Sequence, residues 1–403
     1  MLIFLAHLSR KELSSLINDC LYTGLNIIPT KHWLIDVENM QLNALLEGQI
    51  HILDYLEDQP TAVISGVAGS GKTLVAVEKA RRESLKGHKV LFLCFNSKLR
   101  DHLVDAYKYP GIDFFTIDGF ACKVCKTSIS DLVLLVDRLQ ESDFIDEFPY
   151  QAVIIDEAQD FGQERAEETG IIRLLGDCMC LKDGCFYLFY DKYQVIQSSE
   201  LPSYIKDADC KLTLYKNCRN TKKIAETSVS PLSITPKMMQ GLESGSTPVL
   251  YLKPKDQAKT TIDSIIDGYR LKGITDIAIL TVKTLASSSL APFANGENYL
   301  CHGTKCLFTT VRKFKGLEAE AVILIDVSEE TFLNGKNSLL FYVGTSRAKF
   351  VLSVIASIEN DLLKTIAQKI AKGKSFDGLP DSVALALSLN MLPSEYLDSD
   401  QKA

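Results

Sequence analysis

Short apolar runs alternate with helical patterns along the first half of the chain. Residues 62–66 form an apolar run that ends in glycine, and residues 72–85 follow with a helical pattern rich in Ala, Val and Lys. This order predicts a strand, a loop and a helix. Further buried strands are predicted at residues 89–95, 152–155 and 186–190, because each is a short apolar run.

The same alternation begins again after about residue 246. Strands are predicted at residues 248–252, 276–280, 321–325 and 349–355. Short apolar strands separated by helical patterns indicate parallel sheets with helices on both faces. The chain is therefore predicted to be an α/β protein with two units, each built on its own parallel sheet.

The length supports this division, since 403 residues exceed what one hydrophobic core usually organises. The first domain is predicted at residues 46–226 and the second at residues 247–370. Residues 227–246 are rich in Ser, Thr, Pro and Gly and are predicted to form a linker. An N-terminal extension at residues 1–45 and a C-terminal tail at residues 371–403 complete the expected organisation.

The net charge of −7 disfavours a protein that coats nucleic acid without specificity, because such proteins carry a broad basic surface. A confined basic channel is compatible with this charge. The apolar opening at residues 1–8 is too short for a signal peptide or a membrane span. We therefore expect a cytoplasmic protein that has no contact with a membrane.

The sequence contains 11 cysteines, which in a long chain without a signal are expected to be reduced thiols. Two groups have a spacing that zinc or an iron–sulfur cluster can use. They are Cys122 with Cys125, and Cys178 with Cys180 and Cys185. No nearby histidine pattern completes either set, so free thiols are the preferred interpretation and a metal is the alternative.

Residues 66–73, Gly-Val-Ala-Gly-Ser-Gly-Lys-Thr, fit the phosphate-binding loop G-x-x-x-x-G-K-[ST]. Backbone N–H groups of such a loop surround phosphates, while Lys72 would reach the outer phosphates and Thr73 would ligate magnesium. The predicted nucleotide contacts in this loop are Gly66, Gly69, Ser70, Gly71, Lys72 and Thr73. The alternative is a glycine-rich turn that binds no ligand. It is disfavoured because the motif is complete and lies between a predicted strand and a predicted helix.

Two acids, Asp156 and Glu157, follow the apolar run at residues 152–155. Asp156 would lie at the carboxyl edge of the sheet and hold the metal of a phosphate-loop site. Glu157 would act as the general base on the attacking water. Acids at a strand end are often merely solvated, but their position downstream of the phosphate loop favours the catalytic interpretation.

Asp-Glu-Ala-Gln at residues 156–159 resembles motif II of UvrD/Rep-like superfamily 1 helicases, and further motifs follow in that family's order. Motif III is resembled by residues 190–194, motif IV by residues 217–220, motif V by residues 310–318 and motif VI by residues 341–349. The resemblance implies two RecA-like domains that bind ATP and Mg²⁺ between them. It also implies 3′ to 5′ movement on single-stranded DNA, with RNA as the alternative strand.

The resemblance assigns further roles, residue by residue. Gln49 would read the adenine, Gln194 would sense the γ-phosphate, and the arginines Arg219 and Arg347 would reach the phosphates from across the cleft. Together with Glu157 these last three form the predicted catalytic set, and Gly316 and Glu318 of motif V are assigned to the nucleotide. The predicted nucleic-acid contacts are Phe95, Asn96, Thr116, Phe120, Tyr193 and Thr310.

Three positions depart from the family pattern. Cys218 stands where an aromatic residue usually stacks on the adenine, Asp118 where histidine is frequent, and Tyr190 where glycine is frequent. These departures weaken the implied base selectivity and strand contacts but leave the hydrolytic residues intact. For Phe120 and Tyr193, a place in the core is an equal alternative.

The motifs are closely spaced, so accessory insertions are expected to be small or absent. The sequence resembles the helicase half of proteins that join a nuclease-related domain to a compact motor. Residues 1–45 are too short for such a nuclease, so any nuclease that acts with this chain is expected to be a separate subunit.

Two functions of different classes follow. The first is an ATP-dependent DNA helicase or translocase, acting in DNA repair or in defence against phage. The second is an ATP-driven switch or sensor that gates a partner nuclease without processive unwinding. Turnover stimulated by single strands favours the motor, whereas slow turnover that depends on a partner favours the switch. A phosphate-loop kinase is disfavoured by motifs V and VI.

Overall fold

The computed structural model describes residues 48–141, 143–195, 202–239, 244–371 and 375–397. The predicted N-terminal extension at residues 1–45 lies outside the described residues, as do residues 240–243 of the predicted linker and the end of the predicted C-terminal tail. Two large sheets organise the described chain, and both are flanked by helices.

The first sheet is entirely parallel, as the apolar runs predicted. Its strands are β1 (Thr61–Gly66), β2 (Val90–Leu93), β3 (Ile112–Phe115), β4 (Ala152–Ile155), β5 (Cys185–Asp191) and β6 (Lys211–Leu214). They are ordered β3-β2-β4-β5-β1-β6, so β5 lies between β1 and β4. Because all six strands run in the same direction, the loop after β1, the acids after β4 and the end of β5 meet at one edge.

Helices connect these strands on both faces of the sheet. They are α1 (Lys72–Leu85), α2 (Ser97–Ala106), α3 (Ile117–Cys125), α4 (Leu132–Leu139), α5 (Phe144–Glu147), α6 (Ala166–Leu181), α7 (Lys192–Val195) and α8 (Ser203–Lys206). Helix α1 has one apolar face, which packs against the sheet, and one polar face. It buries Val75, Ala76 and Ala80, while Glu78 on its other face pairs with Arg81.

Alternate side chains of the first sheet enter two separate cores. Val63, Leu91 and Val153 pack into the core on one face, whereas Ile64 and Phe92 pack into the core on the other. A strand buried on both faces needs apolar residues at every position. This requirement explains why Ala152–Ile155 reads as an unbroken apolar run.

The second sheet is parallel except for one antiparallel hairpin formed by residues 298–301 and 304–310. Its strands are β9 (Val249–Leu252), β10 (Ile277–Thr281), β11 (Asn298–Cys301), β12 (Thr304–Thr310), β13 (Ala319–Val327), β14 (Ala348–Ala356) and β15 (Leu392–Pro393). They are ordered β11-β12-β10-β13-β14-β9-β15. Its helices are α10 (Ala258–Leu271), α11 (Glu329–Leu333), α12 (Gly335–Thr345), α13 (Asn360–Ala371) and α14 (Asp381–Ser388).

A short connection joins the two sheets. It contains strand β7 (Lys216–Asn217), helix α9 (Lys222–Val229) and strand β8 (Lys237–Met238), and β7 pairs with β8. Helix α9 spans the predicted boundary at residue 226, and its residues Ile224 and Val229 pack in the same core as the second sheet. We therefore call residues 48–217 the first unit and residues 222–397 the second unit.

Each strand predicted from an apolar run is present, with ends shifted by at most a few residues. Seven strands of the described chain were not predicted from the sequence: β3, β6, β7, β8, β11, β12 and β15. In the two large sheets, β3, β6, β11 and β15 are the edge strands. They lack the continuous apolar signature of a central strand, because they carry polar residues such as Asp113 and Lys211 or, in β15, are only two residues long. Within the described ranges, no helix combines the length and apolar character that crossing a membrane requires.

Candidate functional site

The loop at residues 66–73 connects β1 to α1 at the carboxyl edge of the first sheet. Gly69 has a φ of 74°, and a Cβ atom there would lie 2.4 Å from Asn220 Oδ1. Only glycine fits such a conformation at such close range. Gly71, with a φ of 83°, precedes the first turn of α1. The loop backbone is therefore shaped by its glycines, as the motif predicted.

Lys72 lies inside this loop, and its side chain is buried. Its Nζ donates to the carbonyl oxygens of Gly66 at 3.2 Å and Val67 at 3.1 Å. It also lies 3.5 Å from Asp191 Oδ2, at the end of β5. A buried ammonium is thus held in the loop by carbonyl oxygens and one carboxylate.

Thr73 and Asp156 meet at the same edge, where Thr73 Oγ1 donates to Asp156 Oδ2 at 2.7 Å. Asp156 is fully buried, and its Oδ1 accepts the N–H of Glu157 at 2.9 Å. Burial and the neighbouring charge of Glu157 raise the pKa of Asp156 to about 6, against the opposing effects of Thr73 and Lys72. A hydroxyl and a carboxylate in contact form an oxygen pair of the kind that Mg²⁺ prefers.

Glu157 adopts a left-handed backbone conformation with a φ of 55°, which is uncommon for a residue with a side chain. Its Oε2 accepts a hydrogen bond from Gln159 Nε2 at 2.7 Å. Burial alone would raise the pKa of Glu157, but Lys315, Lys72 and Arg347 outweigh it and lower the value to about 2. The carboxylate is therefore held ionised by cations from both units.

Lys315 is the closest of those cations, and it was not among the site residues predicted from the sequence. It is a buried residue of the loop after β12, with its Nζ 3.7 Å from Glu157 Oε2 and hydrogen-bonded to Asp160. Burial lowers the pKa of Lys315, but Asp160 and Glu157 raise it by a larger amount. The pKa therefore lies above its ordinary value, and the side chain stays charged. Its place directly before Gly316 in the motif V segment was the available signal.

Gln159 connects the acids of β4 to the end of β5. Its Oε1 accepts the N–H of Asp191 at 2.9 Å, and its Nε2 lies 3.4 Å from Gln194 Oε1. Gln194 is buried, and its Nε2 has no hydrogen-bond partner among the described residues. An unpaired buried donor just after β5 fits the phosphate-sensing role predicted for Gln194.

The two predicted catalytic arginines are close enough to interact electrostatically. Arg219 Nη1 pairs with Glu318 Oε2 at 3.0 Å, and its Nε has no partner within the described chain. Arg347 is buried, and its Nε donates to the carbonyl of Val343 at 3.2 Å. Burial and then Arg219 lower the pKa of Arg347, while Glu157 and Asp191 act in the opposite direction.

Residues 217–220 form hydrogen bonds with the backbone of the loop at residues 66–73. Asn217 Nδ2 donates to the carbonyl of Ala68 at 3.1 Å, and the Cys218 N–H donates to the carbonyl of Gly69 at 2.9 Å. The Cys218 side chain is fully buried, and its Sγ also contacts the Gly69 carbonyl at 3.3 Å. Cys218 is thus packed under the loop, where it contacts backbone and has no exposed face for a base.

Other residues assigned to the nucleotide have protein partners. Gln49 Nε2 donates to Met239 Sδ at 3.3 Å. Glu318 pairs with Lys349 at 2.8 Å in addition to Arg219. Gly316 has a φ of 84°, and a Cβ atom there would lie 2.6 Å from Leu99 in α2. Gly316 therefore permits close contact between the motif V loop and the first unit.

The predicted nucleic-acid contacts are divided between cap, core and interface positions. Thr116 caps α3 by accepting the Gly119 N–H, and Thr310 Oγ1 accepts the N–H of Lys313. Asn96 caps α2 and donates from Nδ2 to the Lys315 carbonyl at 3.0 Å, so it links the two units.

The three predicted aromatic contacts differ in exposure. Phe95 is half-buried and packs edge-on against Phe161, and Tyr193 is half-buried against Tyr342. Phe120 is 0 % exposed within the core of the first unit. The stacking role predicted for Phe120 is corrected here to a core role, because its ring has no accessible face for a base.

The cysteines of the two groups differ in their solvent exposure. Cys178 and Cys185 are buried, Cys180 is exposed, and Cys122 and Cys125 are intermediate. Within the described chain, the donors close enough together to share a metal ion are instead those of Asp267, Cys301 and His302. There His302 Nδ1 lies 2.8 Å from Asp267 Oδ2, in an exposed side-chain contact.

A family model matches the part of the chain that contains the loop at residues 66–73 and the acids after β4. Residues 59–224 match the Schlafen group 3 DNA/RNA helicase domain. The match includes the phosphate loop, the acids after β4 and the residues under the loop, and it supports a helicase-like fold. A helicase domain implies binding of nucleic acid. Among solved structures, the chain is similar to the C-terminal domain of a possible DNA helicase from Lactobacillus plantarum WCFS1, with 19 % identity over 34 % of this chain and 86 % of that chain and a TM-score of 0.27.

Proposed function

We propose that this chain is an ATP-driven helicase or translocase of the UvrD/Rep-like type, with two RecA-like units that move along single-stranded DNA. The observation that carries the proposal is the contact between Thr73 and Asp156 at 2.7 Å, with Glu157 beside it. Arg347 is close enough to Glu157 to help lower its pKa, and Arg219 lies beside Arg347. Oxygen ligands, a base and cations from across a cleft are the parts that phosphoryl transfer to water requires.

The residues present fit ATP and Mg²⁺. Ser70 Oγ, Gln194 Nε2 and Arg219 Nε are buried donors without a partner in the described part of the chain. Buried donors of this kind need an acceptor, and phosphate oxygens supply several. Thr73 and Asp156 would hold Mg²⁺, which would neutralise negative charge on the outer phosphates.

The chain's own residues divide the work. Lys72 would exchange its carbonyl contacts in the loop for a phosphate oxygen, and Glu157 would accept the proton of the attacking water. Arg347 would stabilise the charge that develops in the transition state. Because burial already lowers the pKa of Arg347, a phosphate would be a better partner than the present carbonyl of Val343.

Contacts between the two units would connect a predicted nucleic-acid contact with the proposed catalytic base. Asn96, a predicted strand contact, donates to the carbonyl of Lys315, and the Lys315 side chain holds Glu157 and Asp160. A nucleic acid that displaces Asn96 would therefore move the cation beside the base. Movement at this interface would couple hydrolysis to steps along the strand.

A second candidate is an ATP-driven switch that gates a partner nuclease. It is favoured by the same Lys315 contacts, because a base engaged by an ion pair is a poorer proton acceptor until the pair opens. In this form, slow turnover would rise only when a partner moves the motif V loop.

The deciding experiment is steady-state ATP turnover of the purified chain without nucleic acid and with single-stranded DNA, duplex DNA and RNA. The motor predicts turnover that rises with single-stranded DNA and depends on Mg²⁺. Measurable turnover that no nucleic acid stimulates would favour the switch. A wild-type chain that neither binds nor hydrolyses ATP would contradict both candidates.

A further inference from the structure

Tyr342 places a hydroxyl from the second unit inside the phosphate loop of the first. Its Oη accepts the backbone N–H of Ala68 at 2.8 Å and donates to Asp191 Oδ2 at 3.2 Å. The side chain is 1 % exposed, and its ring packs edge-on against Tyr193 with centroids 6.1 Å apart. One buried hydroxyl therefore joins α12 to two strand ends of the first sheet.

Asp191 is a shared acceptor at this point. The same Oδ2 that receives the Tyr342 hydroxyl lies 3.5 Å from Lys72 Nζ. Its Oδ1 accepts the N–H of Tyr193 at 2.9 Å, so the carboxylate is fixed in orientation. If the Lys72 ammonium moves away, the Asp191 carboxylate is neutralised less and becomes a stronger hydrogen-bond acceptor for Tyr342.

The hydroxyl is also suited to donate. Burial and Asp191 raise the pKa of Tyr342 well above its ordinary value, so the phenol remains protonated. Replacing it by an apolar ring would leave the Ala68 N–H and the Asp191 carboxylate each with one partner fewer in a dry site.

Tyr342 lies close to Arg347 along the chain. It is near the end of α12, which ends at Thr345, and Arg347 Nε bonds to the carbonyl of Val343, the residue after Tyr342. The same backbone segment thus carries the hydroxyl that contacts the phosphate loop and the carbonyl that orients the arginine. Fixing Tyr342 on the loop fixes the distance from Arg347 to that loop.

We infer that Tyr342 is a positioning residue that relays occupation of the phosphate loop to Arg347. The inference rests on the proposed ATPase function and adds a residue to it. When Lys72 turns toward a phosphate, Asp191 loses a cation and holds the Tyr342 hydroxyl more strongly. The second unit is thereby drawn onto the loop when the outer phosphates are present. ATP itself is bound mainly by the first unit, so this tether acts on the rate of hydrolysis and only weakly on affinity.

The test compares Tyr342→Phe with wild type and with Tyr269→Phe. The first substitution removes the hydroxyl but keeps the ring. Tyr269 is the matched control, because it is a buried tyrosine of the second unit whose hydroxyl bonds to Ser353 at 2.7 Å within the core on the other face of the second sheet. Turnover is measured over a range of ATP concentrations with saturating single-stranded DNA, together with hydrogen–deuterium exchange of the peptide that contains Ala68.

For Tyr342→Phe we expect kcat to fall about ten- to hundredfold, as for loss of a hydrogen bond to a charged group, with KM changed by less than about threefold. The Ala68 peptide should exchange faster in this variant, whereas Tyr269→Phe should resemble wild type in both measurements. An unchanged kcat, a change in KM alone, or unaltered exchange at Ala68 would overturn the positioning role while leaving the ATPase proposal intact. Absence of turnover in the wild-type chain would overturn both, and that outcome is recognisable before any variant is examined.

Discussion

Lys315 Nζ and Glu157 Oε2 lie 3.7 Å apart although the two residues belong to different units. Lys315 also contacts Asp160, so one ammonium from the motif V loop holds both acids. The pair places the charge state of the proposed base under the control of the second unit. Hydrolysis would then respond to any ligand that moves this loop.

A first prediction follows for the pH dependence of Lys315→Met. Lys315 lowers the pKa of Glu157, which is about 2, so the proposed base stays ionised between about pH 5 and 9. Removing the cation raises this pKa, and a base with a raised pKa is protonated at a higher pH. The acid limb of the kcat profile should therefore move to higher pH, measured as ATP turnover between about pH 5 and 9.

Lys305→Met is the control for that experiment, because Lys305 is an exposed lysine of β12 in the same unit. Its profile should coincide with that of wild type. A Lys315→Met profile with an unshifted acid limb would show that Lys315 does not govern the protonation of the base. Thermal unfolding of both variants identifies any general loss of stability, since Lys315→Met leaves the half-buried Asp160 without its cation.

A second prediction concerns Lys72→Ala. Lys72 is the cation inside the phosphate loop, with Nζ within 3.2 Å of two loop carbonyls. Turnover should fall by at least about a hundredfold, because the outer phosphates lose their cation. Lys86→Ala, at the far end of the same helix, should keep the wild-type rate. Wild-type turnover in Lys72→Ala would refute the phosphate-loop assignment.

A third prediction separates the two neighbouring acids. Glu157→Gln should retain ATP affinity while turnover stops, because the substitution removes the base but keeps the Thr73–Asp156 pair. Asp156→Asn should weaken Mg²⁺-dependent ATP binding as well, since it removes a charged oxygen ligand. Equilibrium binding of a fluorescent ATP analogue with titrated Mg²⁺ distinguishes them. Equal losses of affinity in both variants would mean that the assigned roles are wrong.

A fourth prediction concerns Arg347→Ala. Arg347 is buried between the units and bonds to the protein through Nε and the Val343 carbonyl. We expect kcat to fall by about a thousandfold with little change in ATP affinity, because the arginine answers charge that develops in the transition state. Arg270→Ala removes an exposed arginine of the same unit and serves as the control. A normal kcat for Arg347→Ala would favour the switch over the motor.

A fifth prediction concerns unwinding. The described chain consists of two sheets and their helices, with short connections between the motifs, so little chain is available to hold a duplex ahead of the motor. We expect ATP turnover that responds to single strands but poor displacement of long duplexes. The net charge of −7 also predicts that the chain binds nucleic acid weakly at physiological salt, because few phosphates are neutralised by basic side chains.

Strand displacement on short and long duplexes, at matched rates of ATP turnover, tests that expectation. Addition of a partner that binds duplex DNA should then increase displacement of the long substrate. Processive unwinding of long duplexes by the chain alone would be incompatible with this prediction.

The sequence alone was sufficient for the central strands and for the glycine-rich loop between β1 and α1. Ala152–Ile155 is apolar at every position because a central parallel strand is buried on both faces, and this signal is local. The glycines around Gly69 are also a local pattern, and so is the apolar strand that ends directly before Asp156. Both could be recognised from the sequence without knowledge of the tertiary structure. Edge strands such as Ile112–Phe115 lack that signal, and they were missed.

The tertiary structure alone decided which side chains complete the site. Lys315 contacts Asp160 across 155 positions of sequence, and Tyr342 contacts Asp191 across 151. Contacts of that range depend on how the two sheets pack, which no local periodicity encodes. For the same reason, whether Phe120 would contact a base or fill the core was settled only when its neighbours were known, because burial is a property of the assembled chain.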